Sequence, residues 1–171
     1  MALTDLDKDT LLGMLEDFAK NWLAHDGLWF QAVEQQFDMA TAIELDRQAW
    51  EKFTVIEAKR IMARHDIPPG SGLEGLKKAL GYRLYAVLNE QEIRNETENS
   101  FDFCMVSCRV QAARERKELP LFPCKSVGIV EYAGFAATID PRITTECLKC
   151  PPDPEAGTDG YCCWRFTLKD D

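Results

Sequence analysis

Asn89–Val106 reads NEQEIRNETENSFDFCMV, and within it the hydrophobic pattern changes period. Phe101, Phe103 and Met105 alternate with Asp102, Cys104 and Val106, as in a half-buried strand. The polar run 91–98 is strand-compatible and Asn99-Ser100 suits a turn, so the two segments predict a hairpin. Upstream the apolar residues recur at helical intervals instead. Thr4 and Asp7 stand at capping-box spacing before Leu11, Leu15, Phe18 and Trp22, which predicts a helix from Thr4 to about Ala24. His25-Asp26-Gly27 is expected to end it, since glycine takes the left-handed geometry of helix termini, with a restart over 28–37. A further helix is expected from Asp38 or Thr41 to about Arg64, carrying Leu45, Ala49, Phe53 and Ile56 on one face. Pro68-Pro69-Gly70 stops it, and Ser71 and Glu74 cap another with the stripe Leu73, Leu76, Leu80, Leu84 and Val87.

Downstream of the hairpin, 108–118 reads as a short helix ended by Leu119-Pro120. Residues 124–139 read as a longer one, broken at Asp140-Pro141. Strands are expected over 142–148 and 161–168, on either side of the turn-rich CPPDPEAGTDG. The expected fold is a single α+β domain over 1–171: a helical half, 1–90, packed on a small antiparallel sheet of about four strands with two further helices, 91–171.

The chain of 171 residues is long enough to bury about 70% of its unfolded surface in one core without disulfide staples. Its net charge of −9 is uneven. Residues 1–100 hold 11 Lys and Arg against 18 Asp and Glu, and residues 101–171 hold 9 against 11. Such a balance repels phosphate backbones, so no nucleic-acid partner is expected, and Arg109, Arg114, Arg116 and Lys117 read as one solvated helix face. The acidic, amphipathic start MALTDLDKDTLLGMLEDF is unlike a secretory signal and no run has the length of a membrane span. A cytoplasmic location without membrane contact is expected, where thiols stay reduced.

All seven cysteines fall after Phe101. Cys108 and Cys124 are placed at helix N-termini, where unpaired amides and the dipole favour thiolates, with Arg109 and Lys125 beside them. Cys147 and Cys150 form a CxxC, a spacing that lets two sulfurs reach one tetrahedral ion at about 2.3 Å. Pro151-Pro152 follows at once, which disfavours a thioredoxin-type motif opening a helix and puts the pair in a loop. With Cys162 near the start of the partner strand, Cys108, Cys124, Cys147, Cys150 and Cys162 offer five ligands for four positions, while Cys104 and Cys163 are set aside. Zinc is the expected metal and an iron–sulfur cluster the alternative. Against this stands simple packing, because free cysteine behaves as a small buried hydrophobe. His25 and His65 each precede an aspartate at an expected helix end, which the dipole explains. His25, beside Trp29 and Phe30, is the better candidate base. Trp22, Trp29 and Trp50 offer more apolar surface than a thin sheet covers, so a homodimer is an open expectation.

The C-terminal pattern resembles the 4-vinyl-reductase-like domain, a small-molecule-binding α+β module. The resemblance rests on Cys124 opening a helix with Gly128 and Gly134, a strand reaching Glu146-Cys147, and a Gly160-x-Cys162 turn into Trp164-Arg165-Phe166. It spans about residues 101–168 and implies Cys124, Cys147 and Cys162 as ligands or pocket cysteines. Cys150 departs from it. With HDGLWFQAVE, FPCKSVGIVEY and IDPRITTECLKCPPD, the whole chain is similar to an uncharacterised family of bacterial cytosolic proteins. More distantly it resembles L-2-amino-thiazoline-4-carboxylate hydrolases. The expected function is therefore a small-molecule-binding or sensor module with a cysteine-held metal beside a pocket. The alternative is a hydrolase of a small polar substrate, with Cys108 or Cys124 as nucleophile, His25 as base, and Arg109 or Arg142 as carboxylate anchor.

Overall fold

The computed structural model describes residues 2–154, 156–157 and 159–170. Glu155 and Thr158, inside the turn-rich segment after Cys150, lie outside the described residues, as do Met1 and Asp171. Helix α1, Lys8–Gln36, is capped by Asp7, whose carboxylate accepts from the Thr10 amide at 2.9 Å. The expected break at His25-Asp26-Gly27 does not occur, and α1 runs through it as one helix of 29 residues. A mid-helix glycine costs about 1 kcal/mol. The stripe that continues through Trp22 and Phe30 packs against the buried cluster of Trp50, Phe122 and Val127 and outweighs that cost.

Asp38 caps α2, Met39–Arg64, accepting from the Thr41 amide at 2.6 Å, so Thr41 is the capped residue and not the cap. After the Pro68-Pro69-Gly70 turn come α3, Gly72–Leu80, and a short α4, Leu84–Leu88. The hairpin at 91–106 forms as β1, Gln91–Arg94, against β2, Ser100–Met105. The first strand is shorter than expected because Asn95 takes a left-handed φ of 49°, which asparagine tolerates. Helices α5, Arg109–Glu115, and α6, Lys125–Ile139, precede β3, Ile143–Lys149, and β4, Cys162–Leu168. The sheet is antiparallel throughout, in the order β1-β2-β4-β3. Alternation decides its faces. Phe101, Phe103, Trp164 and Phe166 bury themselves against Tyr132, Phe135 and Ile139 of α6. Asp102 and Cys104 point the other way, where Asp102 pairs with Arg165 at 2.7 Å and Cys104 is disulfide-bonded to the directly opposed Cys163. That disulfide corrects the expectation that all the thiols are reduced, and it leaves five free cysteines.

Helix α6 is held between the sheet and α2 at a separation that two glycines permit. A Cβ at Gly128 would come within 2.6 Å of the Trp164 ring, and one at Gly134 within 2.7 Å of Thr54 on α2. Just before α4, Arg83 is 2% exposed and pairs with Glu57 of α2 at 2.9 Å and Glu131 of α6 at 2.7 Å. Its guanidinium also lies over the rings of Phe135 at 4.7 Å and Tyr85 at 5.4 Å. Burial opposes its charge, and Glu131 and Glu57 overcome that, holding its pKa above the ordinary range. Removing one member of such a buried cluster strands charge in a dry site, typically at a cost of about 3–5 kcal/mol. Arg83→Met should therefore lose about that much in urea unfolding, and adding Glu57→Gln with Glu131→Gln should recover most of it. A single Arg83→Met variant as stable as the parent would show that the cluster does not clamp the helices.

Candidate functional site

Five thiols that are scattered over 55 positions in sequence meet where the sheet, α5 and α6 converge. Cys124 is the residue before α6, Cys147 and Cys150 lie at and just after the end of β3, and Cys162 opens β4. The loop after β3 folds back over the start of α6. The Lys125 amide donates to the Pro151 carbonyl at 3.0 Å, and the Lys125 ammonium pairs with Asp153 at 2.8 Å. Asp153 in turn accepts from the Cys150 amide at 3.0 Å. This brings the Cys124 and Cys150 sulfurs to 3.6 Å.

Cys150 is the hub. Hydrogen-bonding contacts with Cys124, Cys147 and Cys162, in that order of weight, push its thiol far above the usual range, with burial adding to them. Cys147 receives the opposite treatment: the Cys150 hydrogen bond and the Lys125 charge hold its thiol below the ordinary value. Cys108 sits to one side, and burial pushes its thiol up to about 12. It is therefore a neutral, weakly nucleophilic group at neutral pH. Among the described residues, no group of three or more His, Cys, Asp or Glu side chains stands ready to hold a metal ion.

The thiols open onto a cavity of about 430 Å³ between α1, α2, α5 and α6. That size falls within the ordinary range for small-molecule pockets. Cys108, Cys124, Cys150 and Cys162 line it, with Leu23, Phe30, Trp50, Val127 and Trp164 as apolar wall. Trp164 is fully buried, and its indole N–H has no hydrogen-bond partner. Cys147 is not part of that lining and borders a shallower hollow beside Lys125 and Ile129. Three carboxyl groups face the cavity: Asp26, Asp46 and Glu131. Burial raises all three, and Asp46, further raised by Asp26 and Glu131, reaches about 7.

The other expected site residues are distributed unequally. His25 is exposed on α1, within the helix and not at an end, and is not among the residues lining the cavity. The structure thus does not bring it to Cys108 or Cys124 as a base. His65 does stand at a helix end, stacked on Tyr82 at 3.5 Å. Arg142 is engaged by the Asp140 carboxylate at 2.8 Å and is also outside the cavity, whereas Arg109 lines it. The segment read as a solvated basic face is in fact part of the site, for Arg109, Arg114, Arg116 and Lys117 all border the cavity. Gln111 went unnoticed. It exchanges two hydrogen bonds with the Phe122 backbone, at 2.8 and 2.9 Å, and also reaches the Cys124 sulfur at 3.6 Å, so it positions that thiol. Its signal was its place one turn into α5, on the face opposite the exposed Arg109. Of the tryptophans, Trp50 is buried in the core, while Trp29 is 68% exposed on α1 near Leu28 at 62%.

An α+β domain with a thiol-walled internal cavity is the class that fold and site define. The chain belongs to DUF6125, a family of unknown function, whose model matches residues 4–168. No curated protein matches it in sequence. Among solved structures it is similar to a trafficking protein particle complex subunit 3 from Naegleria fowleri, described as covalently bound to palmitic acid. The two share 12% identity and a TM-score of 0.53, over 91% of this chain and 95% of that one. That likeness is one of fold. That match is to a trafficking-complex subunit, not to the 4-vinyl-reductase-like domain or thiazoline-carboxylate hydrolase of the sequence resemblance. No described helix is long and apolar enough to cross a membrane.

The raised Asp46 carboxyl sets a pH dependence. A carboxyl whose pKa is higher folded than unfolded binds its proton more tightly in the native state, so stability falls as pH climbs from about 4 through about 7 and is level above. Asp26 and Glu131 act in the same sense. The melting temperature should be lower at pH 8 than at pH 6, and Asp46→Asn should reduce that difference. An unchanged pH profile in the variant would mean that Asp46 titrates normally.

Proposed function

We propose that the chain is a small-molecule-binding module whose ligand carries an apolar chain, held non-covalently in the cavity. The observation that carries this reading is the cavity itself, about 430 Å³ and walled mainly by apolar side chains and thiols. The structural neighbour supports it, being a protein of similar fold described with palmitic acid bound. A hydrolase acting through Cys108 gains little support, because that thiol is protonated at neutral pH and the proposed base His25 points to solvent. Gly27 supplies the test. It lines the cavity, and a Cβ there would meet nothing within 4 Å, so Gly27→Leu fills space without displacing the fold. It should also favour the helix by about 0.5–1 kcal/mol. In native mass spectrometry the reduced parent chain should retain one palmitic acid, and Gly27→Leu should retain at least about tenfold less. Equal retention by both would put the ligand elsewhere and sink the reading.

A second reading gives the thiol hub to zinc, and the Cys124–Cys150 separation of 3.6 Å favours it. Two sulfurs about 2.3 Å from one tetrahedral ion stand about 3.8 Å apart. Cys124, Cys147, Cys150 and Cys162 would be the ligands, with Cys150 turning from hub to corner, and Cys108 left as a cavity thiol. An iron–sulfur cluster spreads its thiolates over more than one iron, which this close pair suits less well. In the reduced, metal-free chain Cys147 should be the first thiol alkylated by iodoacetamide at pH 7, and one equivalent of zinc should protect it. Labelling that zinc leaves unchanged, together with a metal content near zero, would remove the metal.

A further inference from the structure

The cavity has two electrostatic ends. Its interior lining includes the buried Trp50, Val127, Glu131 and Trp164. The charged residues in the exposed part of the lining are all cations: Lys20 from α1, Arg109 from α5, and Arg116 and Lys117 just beyond it. On a chain of net charge −9, four exposed cations at one opening is a local reversal. The charges of Arg109 and Lys117 are not consumed by the fold. Arg109 donates through Nε to the neutral Leu88 carbonyl at 3.2 Å, and Lys117 donates to the neutral Gln31 side chain at 2.7 Å. Lys20 has a surface partner in Glu16 at 3.2 Å, and Glu115, the acid on the last turn of α5, is turned to the Tyr161 hydroxyl. Arg114, by contrast, is spent on Glu34 and belongs to the scaffold. Inside, Glu131 is paired with Arg83, and burial disfavours charge on Asp46 and Asp26.

Building on the pocket reading above, we infer that the ligand is amphipathic, an apolar chain bearing an anionic head, carboxylate or phosphate, that the Lys20, Arg109, Arg116 and Lys117 rim holds at the opening. The chain enters an interior that offers thiols and aromatic surface, and the head stays at the cationic mouth. A purely apolar ligand would leave the rim unused, and a cationic head would be repelled by it. Exposed charge contacts of this kind are worth up to about fivefold in affinity each. They fade as salt shortens the Debye length from about 10 Å at 0.1 M to about 3 Å at 1 M.

The test compares dodecanoate, dodecyl phosphate and dodecanol on the reduced full-length chain by calorimetry, at low and high salt. The parent should bind both anionic ligands at least about fivefold more tightly than the alcohol at low salt, converging near 1 M. Whichever anion is preferred names the head. The variant Arg109→Gln/Arg116→Gln/Lys117→Gln, altered at exposed positions and checked for an unchanged melting curve, should lose that preference while keeping its affinity for dodecanol. Equal binding of alcohol and anions by the parent, or equal weakening of all three ligands in the variant, would overturn the anionic head and leave the apolar pocket standing. Failure of all three to bind the parent would overturn the pocket reading and this inference with it.

Discussion

A buried guanidinium sets the geometry of the molecule. Arg83 sits where α2, α4 and α6 meet and is shared between Glu57 and Glu131. An unpaired charge in such a place would cost several kcal/mol, so the three helices have little freedom to move apart. The aromatic rings of Phe135, Tyr85, Tyr132 and Trp50 surround the same cation at 4.7–5.8 Å. They supply dispersion and cation–π attraction where water is excluded. Since Glu131 also faces the cavity, the ion cluster and the cavity wall are one piece of structure. Its Oε1 contact with Arg83 is close but poorly directed for a hydrogen bond, so charge, not geometry, holds it.

From that fixed point α6 distributes the site. Cys124, Val127, Gly128 and Glu131 fall on one side of its first two turns and all border the cavity, presenting in turn a thiol, an apolar wall and a carboxyl. Gly128 lets the indole of Trp164 press against the helix backbone, so β4 delivers its aromatic residue to the cavity and not merely to the core. The same strand begins at Cys162, and the β3–β4 connection carries Cys150 back to Cys124. Convergence of the thiols thus follows from the antiparallel pairing of β3 with β4 and from the Lys125–Asp153 tie, without any disulfide between them.

Much of this was legible locally. The period change at residues 89–106 yielded the hairpin, the cap residues placed α2 and α6 within a residue or two, and setting Cys104 and Cys163 aside agrees with their position on the far sheet face. Where the reading failed, the deciding interaction was distant in sequence. Gly27 reads as a helix end until the packing of α1 on Trp50, Phe122 and Val127 is known. The Arg109–Lys117 segment reads as solvated because its exposure is real, and the opening it borders is made by α1, about 85 residues earlier. Arg83 carries no local mark, since both of its carboxylate partners lie on other helices.

The cavity's polar groups resolve into a gradient once their charges are assigned. At the opening, Arg109 and Lys117 are exposed and held by neutral partners, so their field is available to a ligand. Deeper in, burial favours the neutral forms: Asp46 near 7, Cys108 near 12, and Cys150 driven up by its three thiol neighbours. A low-dielectric interior enforces that order, because each buried group that kept a charge would have to find a partner, and Arg83 has already taken Glu131. The one thiol held below its ordinary range, Cys147, lies outside the cavity lining beside Lys125. Burial thus disfavours charge on the Cys108 and Asp46 side chains that face the cavity, while the thiol whose ionisation is eased, Cys147, stands on the outer side of the hub.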